Sequence, residues 1–444
     1  MKKSSQSSKR RYRPSIWAAM ILASIATKGQ SQIVTDGSVG PAQTIAGPNH
    51  LIGSDLGTIK GNNLFHSFDQ FNVNTGESAT FTGPNNIGNV LSRVTGGSGS
   101  NINGLLKSEI QGANFYLINP NGVILGDGAQ IDVSGAFNVS TANSLKLSDG
   151  SMLSTSLGDT SVLTSAEPAA FQFLNANPAE VEVDGVSLNT NGQTFSVVGG
   201  RITITGTGDT NNGMGIISRG GRVNLVSVGS TGEVLADPNV DDPTATASPI
   251  TAGQDIEMTN GGVVNVSDPV GGRVFIRGGN LTVTDSYIRA RTNGGTEGET
   301  GEGIGIYLDG NLTVENGRIS TSSQGAATGG PIEIVAGEVE LFNSGTIENT
   351  ARAEGDAGTI RITAAEVSLS GDAAPLPDGG GDPGGGDPGP GGGDPGPGGP
   401  GPGGPGPGGP GPGGPMPAPV EEDTLVDSSS VIAPPPGEDP ALAV

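Results

Sequence analysis

Five segments of the chain share one short pattern: GGRITI from Gly199, GGRVNL from Gly220, GGRVFI from Gly271, GGPIEI from Gly329 and AGTIRI from Ala357. The intervals of 21, 51, 58 and 28 residues are one or two units of about 25. A unit this short cannot bury its own apolar side, so it must stack on copies of itself.

The unit is longer than its signature. Seven residues after the first apolar position a second short strand begins, at Leu281 (LTV), Val339 (VEL) and Val367 (VSL). LTV at Leu312 is spaced one residue closer when counted from Ile306. Third strands follow at Tyr287 (YIRA), Arg318 (RIST) and Thr346 (TIEN). Three short strands joined by turns predict an all-β, right-handed parallel β-helix, a single-stranded solenoid with one coil per unit. About 12 to 14 coils at about 4.8 Å each would make a rod roughly 60 Å long. A β-sandwich does not need the unit to recur in register, and a propeller blade would need about 40 residues.

Composition suits a thin, extended core. Apolar residues are 33% and aromatics 4%, while glycine reaches 79 of 444. There is no cysteine, which removes disulfides, thiolate catalysis and cysteine-based zinc sites. The net charge of −24 is unevenly spread: seven of the 21 Lys and Arg fall within the first 28 residues, leaving 14 against 45 acids. Such a chain repels nucleic acid and anionic lipid.

The basic start reads as an address. Lys2, Lys3, Lys9, Arg10, Arg11 and Arg13 precede the apolar run Ile16 to Ala26, and Gly29-Gln30-Ser31 is a small-x-small site before Gln32. Residues 1–31 are expected to be a signal peptide cleaved between Ser31 and Gln32. The run is too short to span a bilayer as an anchor. No apolar pair follows Tyr12, which favours the general secretory route over twin-arginine export.

At the other end, residues 375–419 are almost only Gly, Pro and Asp without a strict three-residue period, hence a linker and not collagen. Residues 420–444 carry six acids and no Lys or Arg, and read as an acidic disordered tail.

The polar tetrapeptide Asn119-Pro120-Asn121-Gly122 stands between two apolar runs, Phe115 to Ile118 and Val123 to Leu125. Pro120 suits position i+1 of a type I turn, Asn119 can accept from the backbone at position i, and Gly122 fits i+3. A good coil corner would need no more than this.

In order along the chain stand FHSFDQFNV from Phe65, SRVTGG from Ser92 and NPNG from Asn119. Together they resemble the filamentous haemagglutinin N-terminal domain, the haemagglutination-activity domain of two-partner secretion. The likeness is dense from Gln32 to about Ala142 and thins by about residue 230. It implies a secretion domain over 32–150, a β-helix extension over 151–371, and export from the periplasm through an outer-membrane β-barrel transporter whose periplasmic polypeptide-binding domains recognise the chain. It further implies a secreted, cell-surface product of a Gram-negative-type bacterium, acting as an adhesin on host or neighbouring-cell glycans or proteins. Asn119, Pro120, Asn121 and Gly122 match the family's secretion motif residue by residue. The family's second motif, Asn-Pro-Asn-Leu, is missing, and its nearest counterpart is GPNNI, Gly83 to Ile87.

Other chemistries are less well served. A β-helical polysaccharide lyase or hydrolase needs clustered acids on one face, whereas Asp184, Asp268, Asp285, Asp309 and Glu315 are scattered at turns. His50 and His66 lie 16 residues apart with no acid cluster beside them, and His66 is expected to be a packed or rim residue. One imperfect copy of a calcium repeat, GDGAQID from Gly126, cannot assemble a stacked ligand set. No catalytic residue, metal site or cofactor is expected. A competition toxin or regulatory ligand is the other alternative, but the tail holds no recognisable effector domain.

Overall fold

The computed structural model describes residues 33–208 and 214–370, with the backbone of Leu442–Ala443. The expected signal peptide and its Ser31/Gln32 junction, the Gly/Pro/Asp-rich linker and the rest of the acidic tail lie outside the described residues.

The chain winds as a right-handed parallel β-helix, the right hand being the rule for parallel crossovers. Ten parallel strands, from Asn63–Phe71 to Ile360–Thr363, stack in one long sheet. Strands of a second sheet run from Ser100–Ile102 to Glu366–Ser370. The third face is split into a short sheet ending at Gln130–Asp132 and a longer one starting at Ser187–Asn189.

Register explains the repeat. Leu64, Val90, Phe115, Phe137, Phe195, Val223, Val274, Ile304, Ile332 and Ile360 are successive partners in the long sheet, so the first apolar positions of the units at Gly220, Gly271, Gly329 and Ala357 fall in one inward column. Ile202 of GGRITI instead pairs with Val181 and Ile256 in the second sheet, so that segment is the second strand of a coil and not the start of one. Phe115, Phe137 and Phe195 stack inside it, with ring centroids 5.9 and 5.2 Å apart. The expected second and third strands are present at Leu281–Thr284, Glu338–Phe342, Glu366–Ser370, Tyr287–Arg289, Arg318–Ser320 and Thr346–Glu348. The unit before Leu312 begins at Ile304, the partner of Val274, and not at Ile306; its turn is longer by one residue than its neighbours', not shorter.

The rod is also shorter than expected. Ten rungs at about 4.8 Å give about 43 Å between the first and last strands. The difference has a structural cause, because long stretches leave the helix. Ser144–Leu147, Met152–Ser154, Pro168–Phe173 and Gly232–Leu235 form an antiparallel sheet of their own. Its Leu145, Leu153, Phe171 and Val234 cluster with Phe65, Leu91, Tyr116 and Ile118 from the long sheet's outer face. This flap makes both faces of the long sheet dry there: Asn89–Val94 is buried at all six positions.

The N-terminal end is closed. Ile33–Thr35 and Thr58–Lys60 add antiparallel to Asn63–Phe71, and Leu56 from a short 3-10 turn is buried.

Candidate functional site

The tetrapeptide Asn119-Pro120-Asn121-Gly122 forms the corner between the strands Asn114–Ile118 and Val123–Leu125. The backbone of Gly122 donates to the Asn119 carbonyl at 3.2 Å, closing a turn. The Asn119 side-chain oxygen accepts from the Asn121 backbone at 3.0 Å, as its position demands. Gly122 has φ +108°, a conformation that side-chain-bearing residues avoid, and a Cβ there would lie 3.3 Å from the Glu180 carbonyl. Glycine is therefore required at the last position for its backbone.

The turn is more than a local structure. Asn119 is fully buried, and its side-chain amide donates to the Ser98 carbonyl and the Ser100 hydroxyl of the preceding coil, both at 3.0 Å. Asn121, near the surface, donates to the Gly96 carbonyl at 2.7 Å. The Ser100 backbone donates to the Gly122 carbonyl at 3.0 Å. Asn119 and Asn121 thus clamp the corner onto residues 96–100, the end of SRVTGG and the loop after it. The site's surface is a groove of about 280 Å³ between Gly99–Asn101, Asn121–Ile124 and Glu180 with Glu182.

SRVTGG is in turn held by the other segments. Arg93 is buried, with Nε donating to the Ser67 hydroxyl at 2.7 Å and the two guanidinium NH₂ groups to the Ser161 and Ser38 hydroxyls at 2.7 and 2.8 Å; it also reaches the Ser154 carbonyl. Asp36 accepts from Ser67 at 2.5 Å, from Thr95 at 2.6 Å and from Ser38 at 2.7 Å. Burial alone would raise the Asp36 carboxyl, but the donors from Ser38, Ser67 and Thr95 outweigh it and hold it below the ordinary range. For Arg93 burial wins over the nearby Asp36 charge and lowers its pKa. Gly96 packs so closely on the Asp69 carbonyl that no Cβ would fit. Residues of FHSFDQF, SRVTGG and NPNG therefore form one continuous hydrogen-bonded and packed unit. It joins the N-terminal cap, the first three coils and the flap.

Ser67, Arg93 and Asp36 escaped the sequence reading as a set. Their only signal was that an arginine falls inside a strand of apolar neighbours, where its charge needs buried partners.

The TPS secretion domain family matches residues 31–283, more than half of the chain. The chain belongs to that family. Proteins of this family are exoproteins of two-partner secretion systems, exported to the exterior of Gram-negative bacteria by an outer-membrane transporter partner. A heme/hemopexin-binding protein of Haemophilus influenzae is 40% identical over 73 residues, which are 16% of this chain and 7% of that relative's length. Among solved structures, the HMW1 secretion domain from Haemophilus influenzae is 17% identical, with a TM-score of 0.35, over 75% of this chain and 98% of its own. A filamentous hemagglutinin secretion domain is 18% identical, also at 0.35, over 77% and 95%.

The remaining residues singled out in this secretion domain and its extension are dispersed. GPNNI turns the chain from the third face into the long sheet, whereas NPNG turns it from the long sheet into the second sheet; the two occupy different corners of the coil. His66 lies in an inward column beside Ser92, and its ring meets Phe81 edge-on at 5.4 Å. Burial pushes its pKa down to about 4, and the Leu56 carbonyl and Asp55 compensate only weakly. His50 is buried too, with Nδ1 3.0 Å from the Ile45 carbonyl. Asp309 pairs with Arg277 at 2.5 Å, and Asp285 sits at a corner with φ +50°. Among the described residues no three His, Asp or Glu side chains gather to hold a metal.

Proposed function

We infer that Asn119, Pro120, Asn121 and Gly122 are this chain's export element, and that the folded rod acts outside the cell as an adhesin-like surface. The observation that carries the first part is the burial of Asn119 in a unit built from all three motif segments. A corner that docks on the preceding coil orders that coil as soon as it forms. The same residues would then serve the transporter's periplasmic domains as an extended stretch before folding and nucleate the helix after passage.

The organisation proposed with it is a signal peptide to Ser31, a secretion domain over 32–150, a β-helix extension over 151–371, a linker over 375–419 and a tail over 420–444. The adhesin reading rests on family membership and on the rod's long solvent-facing sides; the named heme/hemopexin-binding relative shares too short a segment to transfer its cargo. The test is adherence. Cells producing the chain with its transporter should bind surfaces or one another more than cells producing the transporter alone. Equal adherence, with the chain shown to be outside the cell, would remove the adhesin role and leave the export role standing.

A further inference from the structure

The two ends of the rod differ. At the N-terminal end, antiparallel additions cover the first strand of the long sheet. At the other end Ile360–Thr363 is the last parallel strand, and the apolar interior runs out beside it: Leu341, Ile347, Ile360 and Val367 are only partly buried, and Leu369 is 61% exposed. An edge strand next to exposed core invites pairing with any extended segment.

We propose that Leu442–Ala443 of this same chain closes that end by adding antiparallel to Ile360–Thr363. Three observations support it. The backbone of Leu442–Ala443 lies antiparallel against this strand, with Leu442 the partner of Ile362 and Ala443 the partner of Arg361. Pro440, just before, cannot donate to a ladder and bounds the addition there. The segment Ala-Leu-Ala-Val is wholly apolar after the Glu438-Asp439 pair, which suits a cap over an apolar mouth.

The tether permits it. Residues 371–440 are rich in Gly and Pro, and a tether of this length and composition holds its ends together at an effective concentration on the order of millimolar. An in-chain strand therefore outcompetes the same segment of a second molecule at ordinary protein concentrations.

The chain's lack of cysteine makes the test direct. Cross-strand partners are close enough for a disulfide, so the secreted Arg361→Cys/Ala443→Cys variant should oxidise rapidly to an internal disulfide. An Arg361→Cys/Ser429→Cys control should oxidise many-fold more slowly. Equal rates in the two variants, or disulfide-linked dimers in place of the internal bond, would overturn the proposal. Hydrogen exchange gives a second readout on the unlinked chain. Removing residues 441–444 should speed exchange in Ile360–Thr363 at least tenfold while Arg222–Ser227, deep in the long sheet, stays protected. Unchanged exchange, or protection that disappears on dilution of the intact chain, would mean that nothing or a second copy covers this edge.

Discussion

The Asn121 side-chain amide donates to the Gly96 carbonyl at 2.7 Å, so the tip of the NPNG corner is fastened to the loop of the coil before it. Asn119, below it, is fastened twice more, to Ser98 and Ser100, out of reach of water. The two asparagines therefore differ in what their loss leaves behind.

Replacing Asn119 by Ala strands buried polar groups and should lower stability by about 1–3 kcal/mol. Asn121→Ala lets water take over the exposed partner and should cost no more than about 1 kcal/mol. Urea unfolding of the purified secreted protein measures both; equal costs would mean that burial of Asn119 contributes nothing.

Arg93→Lys keeps the charge but loses the fork that reaches Ser38, Ser67, Ser154 and Ser161 at once. A loss of about 2–4 kcal/mol is expected, with hydrogen exchange rising in the N-terminal cap and around Ser154 together. Exchange that rises at one of these places alone would show that Arg93 does not couple cap to flap.

Ile276 and Ile334 are fully buried in the inward column next to the first apolar one. An aspartate at either position finds no partner and should cost on the order of 3–5 kcal/mol. Asn175→Asp, on an exposed turn, should stay within about 0.5 kcal/mol of the parent. Comparable losses at the core and turn positions would contradict a stacked apolar interior.

The stacked coils were legible because inward positions repeat at fixed spacing: from Val274 to Leu281, from Ile332 to Val339 and from Ile360 to Val367. The flap was not. Its strands pair antiparallel with partners as far apart as Phe171 and Val234, a distance that no local pattern encodes. A trace of it lay in the outward residues Phe65, Leu91 and Tyr116, which are large and apolar because the flap covers them. The coil count was overestimated for the same reason, since the stretches that form the flap add no rung to the long sheet. For the candidate site, the turn itself was readable from Pro120 and Gly122, but the burial of Asn119 depends on a loop about twenty residues earlier. The long-range Asp36–Ser67–Arg93 network left only one trace, an arginine among apolar strand neighbours.

His66 gives stability a pH dependence. It is held neutral in the fold, with its pKa down to about 4 from an ordinary 6.5, so the unfolded chain binds the extra proton between those values. Stability should therefore fall as pH drops from about 6.5 to 4, by roughly 2–4 kcal/mol from this residue. Asp36, held below the ordinary carboxyl range, loses its contribution only as pH falls further. Denaturant unfolding of wild type and His66→Leu across this range measures the difference; parallel pH curves would show that His66 is not the titrating group.

The export role of the corner is tested most directly by the amount of full-length protein outside cells that also make the transporter, compared for wild type, Asn119→Ala and Ser100→Ala. Ser100→Ala removes the hydroxyl that Asn119 donates to and so weakens the fold at the same place while leaving the tetrapeptide intact. A severalfold fall in external protein for Asn119→Ala, with Ser100→Ala near wild type and both purified proteins folded, is the expected result. Wild-type external levels for Asn119→Ala, or an equal fall for both variants, would contradict it and leave Asn119-Pro120-Asn121-Gly122 as a corner of the helix.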